Sequence, residues 1–203
     1  MELTIDLPRN YLLHKYFVLF SNNEIHWFLL SPNYRRELKI KQYFESKGIA
    51  CFVPMQHTYR IIAGKKRLVT VPVISNYLFV KSTYDRLKAE KQTLEQLDMP
   101  FKFRMDTMSH HQPIVISDRL MEDFITVCQN QHCKFVGYDK QADIKKGDLV
   151  EIVSGPFAGV QGYYARPFKD KCVVVLIENV AAVCTTYIPP KALRLVGKQG
   201  ELV

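Results

Sequence analysis

Three cations in a row, Lys65, Lys66 and Arg67, follow Gly64 in the stretch GKKRLVTVPVISNYLFV, which runs from Gly64 to Val80. Lysines and an arginine clustered at a glycine turn suit the capture of a polyanion through its phosphates. The apolar, β-branched residues behind them are of the kind that fill a buried strand, so the stretch is expected to form a hairpin with charge at its tip and an apolar stem. Pro72 cannot donate to a strand ladder and should mark an edge or break, after which Tyr77 to Val80 resume as a strand. A solvated turn over an ordinary core is the alternative. Other reactive side chains are not arranged for a reaction. Cys128, His132 and Cys133 match no zinc spacing, and no second ligand pair follows them. His110 and His111 lie beside no suitable Cys, Ser or carboxylate pair, and a glycine loop that could cradle a nucleotide is missing. The sequence therefore reads as a protein without catalytic residues, metal or cofactor.

Charge supports the polyanion reading by its placement. The net charge of the 203 residues is +8, and residues 26–98 hold 13 Lys and Arg against 6 Asp and Glu, a net +7. Such asymmetry favours nucleic acid as partner, with a soluble basic face as the alternative. Hydrophobic residues at 47% and charged residues at 24% exclude a chain disordered throughout. Five scattered cysteines, an odd number, fit reduced thiols in a cytoplasmic protein. The N-terminus shows no secretion leader, and Tyr11 to Phe20 is interrupted by His14 and Lys15 and is too short to span a bilayer, so no membrane association is expected.

The elements that must position these residues fall into four segments. Residues 1–25 are expected to form an arm that lays Tyr16 to Phe20 on the domain behind it. Residues 26–130 read as an α+β domain. Its first strand is His26 to Leu30, followed by a helix from Tyr34 to Lys47 that Gly48 stops. Ile49 to Val53, the hairpin strands Thr58 to Ile62 and Leu68 to Val71, and Tyr77 to Lys81 complete its first half. A helix over Tyr84 to Leu97, a strand over Phe101 to Met105 and a helix capped by Ser117 follow, giving helices packed on a mostly antiparallel sheet. Residues 131–143, polar and mixed in charge, are expected as a linker. Residues 144–203 hold five short valine-rich runs separated by turns, and five strands in so few residues suggest a small closed barrel.

Two stretches carry a resemblance. IKKGDLVEIVSGPFAGVQGYY, with Gly147, Gly155-Pro156-Phe157, Gly159 and Gly162, resembles a KOW motif, which implies an SH3-like barrel. HWFLLSPNYRRELKIKQYFESKGIACFVPM followed by NYLFV is similar to the N-terminal domain of NusG-like transcription factors, closest to specialised paralogues of the RfaH kind. The resemblance implies an elongation and antitermination factor that serves particular operons, often for surface polysaccharides. Its N-terminal domain would bind the clamp helices of the largest subunit of RNA polymerase through an apolar patch at Ile74, Tyr77 and Phe79. Positions matching family contacts to the non-template DNA strand, placed on the first helix, are Asn33, Tyr34, Arg36, Lys39 and Tyr43, beside the cations Lys65, Lys66 and Arg67. The KOW domain implies a ribosomal protein or a termination factor as a further partner. Ile74-Ser75 stands where the family has Phe-Pro, and the threonine-rich loop of the RfaH kind is missing from the second helix. A stand-alone nucleic-acid or ribosome-associated KOW protein is the alternative.

Overall fold

A computed structural model of the chain describes residues 22–106 and 112–197. His110, His111 and nearly all of the expected N-terminal arm lie outside the described residues. The chain divides between Cys128 and Gln129 into two compact units.

The first unit is built on β1 (His26–Pro32), whose side chains are almost all buried. Its run Trp27-Phe28-Leu29-Leu30 is continuously apolar because both faces of the sheet are covered. β1 pairs antiparallel with β5 (Leu78–Ser82) on one edge, and β5 in turn with β2 (Ala50–Phe52). β6 (Phe101–Phe103) and β7 (Val115–Ile116) share the other edge of β1. On one face, Phe28, Leu30, Leu78 and Val80 pack with Ile40 and Phe44 of α1 (Glu37–Ser46) and with Leu87 and Leu94 of α2 (Tyr84–Gln96). Burial of each such side chain stabilises the unit by about 1.5–3 kcal/mol. On the other face, Phe52 and Phe79 meet Phe124 of α3 (Asp118–Cys128).

Local signals end and cap the helices. Thr83 accepts from the Arg86 amide at 3.3 Å, and Ser117 from the Leu120 amide at 3.3 Å, which removes one unpaired N–H from the first turn of α2 and of α3. Gly48 follows α1 at φ +69°, as the glycine was expected to do, and its amide donates to the Glu45 carbonyl at 3.0 Å. The start of α1 departs from expectation. Tyr34 and Arg35 have φ of 58° and 55°, the left-handed region, so the helix opens at Glu37 and not at Tyr34.

β3 (Met55–Ile62) and β4 (Lys65–Pro72) form a separate two-stranded sheet. Ala63 and Gly64, both at positive φ, make the two-residue connection that matches the twist of such hairpins.

The second unit is an antiparallel sheet in the order β13-β9-β10-β11-β12-β8, from β8 (Lys134–Val136), β9 (Asp148–Ile152), β10 (Gln161–Ala165), β11 (Cys172–Ile177), β12 (Ala181–Tyr187) and β13 (Leu193–Gly197). β11 is buried along its whole length, as the valines Val173, Val174 and Val175 suggest. Gly162 is required where β10 runs close against β11, since a Cβ there would lie 2.5 Å from the Val174 carbonyl oxygen. The six strands form an open path, and among the described residues no pairing closes it into the expected barrel. β8 accounts for part of this: it arises inside the segment read as linker and occupies the β12 edge, pairing Val136, Phe135 and Lys134 with Ala182, Val183 and Cys184. α4 (Gln141–Ile144) is a single turn that runs across the end of that segment. The coarse class holds, mixed α+β with antiparallel sheets and a β-rich C-terminal part.

Candidate functional site

The hairpin of β3 and β4 is two strands of eight residues each, so it extends roughly 27 Å at strand spacing. Its register places Tyr59 opposite Leu68, Arg60 opposite Arg67, Ile61 opposite Lys66 and Ile62 opposite Lys65. Side chains alternate, so Arg60, Arg67, Lys65 and Ile62 share one face while Tyr59, Ile61, Leu68 and Lys66 share the other. The three clustered cations thus stand in the first turn-proximal residues of β4 and not on the turn itself. Lys66 Nζ lies 4.5 Å from the centroid of the Tyr59 ring, which braces the apolar face across the strands.

The stem is not the buried strand that its composition suggests. Ile61 is 80% exposed, Tyr59 62% and Leu68 58%. A two-stranded ribbon pairs only with itself, and nothing forms a second layer over these residues within the unit. Electrostatics mark the same element. No Asp or Glu occurs between Glu45 and Asp85, so the hairpin carries Arg60, Lys65, Lys66 and Arg67 without a neighbouring acid in sequence. Arg60, Lys65 and Arg67 form no ion pair among the described residues. Like charges directly opposite across strands destabilise the ribbon, so the Arg60–Arg67 pair is a cost that an anion between them would relieve.

The residues expected on the first helix divide. Asn33, Tyr34 and Arg36 lie in the turn before α1, and only Lys39 and Tyr43 are on it. Tyr34 is exposed, with the Arg36 guanidinium 5.6 Å from its ring centroid, and Arg36 also pairs with Asp98 at 2.8 Å. Lys39 is exposed. Tyr43 is half-buried and committed to the scaffold: its hydroxyl donates to Glu90 at 2.7 Å, and Lys47 Nζ sits 4.7 Å from its ring centroid. Burial works to raise the Glu90 pKa, but hydrogen bonds from Lys47 and Tyr43 outweigh it and hold the carboxyl below its ordinary range. The hydrogen bond to Glu90 raises the pKa of Lys47 in return.

The expected apolar patch divides too. Ile74 and Tyr77 are half-buried, and the Arg104 guanidinium lies 5.6 Å from the Tyr77 ring centroid. Phe79 is fully buried, its ring 5.8 Å from Phe124 and 6.4 Å from Phe52, so it belongs to the core under α3 and cannot itself reach a partner. The turn holding Ile74 to Tyr77 is tied to the turn before α1 by the Arg35 amide, which donates to Asn76 Oδ1 at 2.9 Å. Residues expected to touch polymerase and residues expected to touch DNA are thereby joined by one hydrogen bond between two left-handed turns. Sequence reading missed Arg60 and Tyr59; placing the turn at Ala63-Gly64 would have set both opposite named residues.

Burial pushes the Cys51 thiol up to about 12 and raises that of Cys133, which keeps both protonated. Among the described residues no group of three His, Cys, Asp or Glu could hold a metal ion, and no helix is long and apolar enough to cross a membrane.

Comparison with known proteins places this geometry. Residues 25–125 match the family model described as transcription termination factor nusG. The chain is also 37% identical over 60 residues to transcription elongation factor Spt5 of Methanocaldococcus jannaschii, a match spanning 29% of this chain and 41% of that protein. With the sheet, its three helices and the projecting hairpin all falling within or beside the matched span, the chain is a NusG-like protein whose first unit is a NusG domain.

Proposed function

We propose that this chain is a non-enzymatic, cytoplasmic transcription elongation factor that docks on RNA polymerase and holds the non-template DNA strand, suppressing pausing and termination. The observation that carries the reading is the cationic hairpin on a NusG domain. Its four unaccompanied cations supply phosphate contacts, and Tyr59 and Tyr34 supply rings on which unpaired bases stack. Tyr34, Arg36 and Lys39, in the turn before α1 and on it, supply a further ring and two further cations, and Tyr43 ties α1 to Glu90 of α2. Polymerase docking falls to Ile74 and Tyr77 at the turn bound to Arg35, since a few partly exposed apolar and aromatic anchors carry most of an interface. Phe79, buried against Phe52 and Phe124, supplies core packing and not a contact. Operon-specific action of the RfaH kind, at surface-polysaccharide genes among others, and a ribosomal protein or termination factor on a KOW-like second unit, complete the proposal.

The test is a pull-down with core RNA polymerase paired with single-round transcription on a long template. Binding with fewer pauses is expected. Ile74→Ala with Tyr77→Ala should remove polymerase binding, whereas Lys65→Glu with Arg67→Glu should spare it and lower crosslinking to the non-template strand. Equal loss of both activities in both variants would refute separate sites, and no binding by the unaltered chain would refute the polymerase reading.

A further inference from the structure

The cations of the second unit are sorted by partner. Lys145 pairs with Glu178 at 2.8 Å, Lys146 with Asp143 at 2.7 Å and Arg194 with Glu151 at 2.8 Å. Lys134, Lys140, Arg166 and Lys171 form no ion pair among the described residues, and these four gather around the loop joining β10 to β11. Lys134 comes from β8 and Lys140 from the 3-10 turn at Tyr138–Lys140, yet both ammonium groups converge on the ring of Phe168, at 5.6 and 5.1 Å from its centroid. Lys140 Nζ also donates to the Pro167 carbonyl at 3.0 Å, which fixes the loop against the turn. Beside it, Lys171 Nζ lies 5.1 Å from the centroid of Tyr164, a ring anchored by its hydroxyl donating to the Ile188 carbonyl at 3.3 Å. A cleft of about 230 Å³ adjoins the cluster, lined by Lys140, Asp143, Ile144, Ala165, Arg166 and Pro167, and its carboxylate, Asp143, is engaged by Lys146.

Two ammonium groups on one ring repel each other, and Phe168 is 38% exposed, more than a ring kept for packing. The lysines are held near the ring and not by acids, so an incoming phosphate displaces no ion pair from any of the four cations. Each ring displaced from its lysine then presents a π-face at the spacing of a cation. We infer that this surface binds single-stranded nucleic acid, with phosphates on Lys134, Lys140, Arg166 and Lys171 and a base stacked on Phe168. An acidic peptide would satisfy the charges and leave both rings unused; a duplex would satisfy the charges and offer no free base to Phe168.

Fluorescence anisotropy with a labelled twelve-nucleotide uridine RNA tests this on the full chain carrying Arg60→Ala, Lys65→Ala, Lys66→Ala and Arg67→Ala, which removes the four hairpin cations from the readout. Binding is expected, with Phe168→Ala weakening it at least about fivefold and Phe168→Trp, which keeps a stacking face, restoring it. Lys134→Ala with Lys140→Ala and Lys171→Ala should weaken binding further and reduce the log–log salt slope by about 2, near 0.7 per phosphate lost on a single strand. A duplex of equal length should bind more weakly. Thermal unfolding of each variant shows that its fold is kept. Unchanged affinity in both the Phe168 and the lysine variants overturns the inference. So does a result in which polyglutamate competes as well as RNA and Phe168→Ala has no effect, which would assign the surface to an acidic protein.

Discussion

Arg67→Glu is expected to strengthen the hairpin and, under the proposed function, to weaken its hold on single-stranded DNA at once. Arg67 stands directly opposite Arg60 on an exposed face, and neither is ion-paired among the described residues. The substitution replaces a repulsive cross-strand pair with an attractive one, and such pairs are worth about 0.2–1 kcal/mol. A gain of about 0.5 kcal/mol in local stability corresponds to roughly a twofold rise in protection of the β3 and β4 amides from hydrogen exchange. Under the proposed function the same change removes one phosphate contact. A hydrogen bond to a charged group contributes about 1.5–3 kcal/mol, so affinity for single-stranded DNA should fall at least about tenfold at low salt, and the salt slope by about 0.7. Hydrogen exchange and anisotropy titrations over a range of salt measure the two effects independently. If protection falls together with affinity, the loss reflects a broken hairpin, and the reasoning from the Arg60–Arg67 register fails. It fails equally if affinity and salt slope do not move.

Two further outcomes concern the scaffold. Phe79→Ala should destabilise the first unit by about 3–5 kcal/mol in urea titrations, because a fully buried ring between Phe52 and Phe124 leaves a cavity, whereas Tyr77→Ala should cost far less; equal, small effects would place Phe79 outside the core. Glu90→Gln should lower the melting temperature at neutral pH. Glu90 stabilises the fold fully above its ordinary value of 4.5 and loses this as pH falls through its lowered folded pKa, while the Lys47 contribution is present below 10.5 and lost as pH rises through its raised one. The gap between variant and parent should therefore close in acid and in strong base, and a gap independent of pH would refute the pairing.

The sequence was most legible where one residue type permits one backbone. Gly48 ended α1, Ser117 capped α3, and glycines of the second unit sat where backbones approach closely or turn, because each job excludes most alternatives. It was less legible where the deciding factor was a neighbour distant in the chain. Tyr34 and Arg35 adopt positive φ without being glycines, and the reason visible in the fold is Asn76, forty-one residues after Arg35, whose side chain accepts from the Arg35 amide. Lys134–Val136 looked like linker because three residues carry no periodicity; their partner on β12 lies far along the chain, at Ala182 to Cys184.

Burial gave the sharpest divergence, and it bears on function. Phe79 and Ile61 are both large apolar residues in β-forming runs, and neither alternation nor composition tells them apart. Phe79 is closed off because α3 covers its side of the sheet, while Ile61 is open because its hairpin has no second layer. A contact surface is what remains when covering elements have been placed, so residue type alone nominated a core ring for docking and treated an exposed ribbon as core. Charge escapes this limit, since a stretch of chain without acids cannot neutralise itself whatever covers it. That is why Lys65, Lys66 and Arg67 stand out in the bare sequence, whereas Tyr59 and Arg60 on the facing strand gain their meaning only from the register that sets them opposite Leu68 and Arg67.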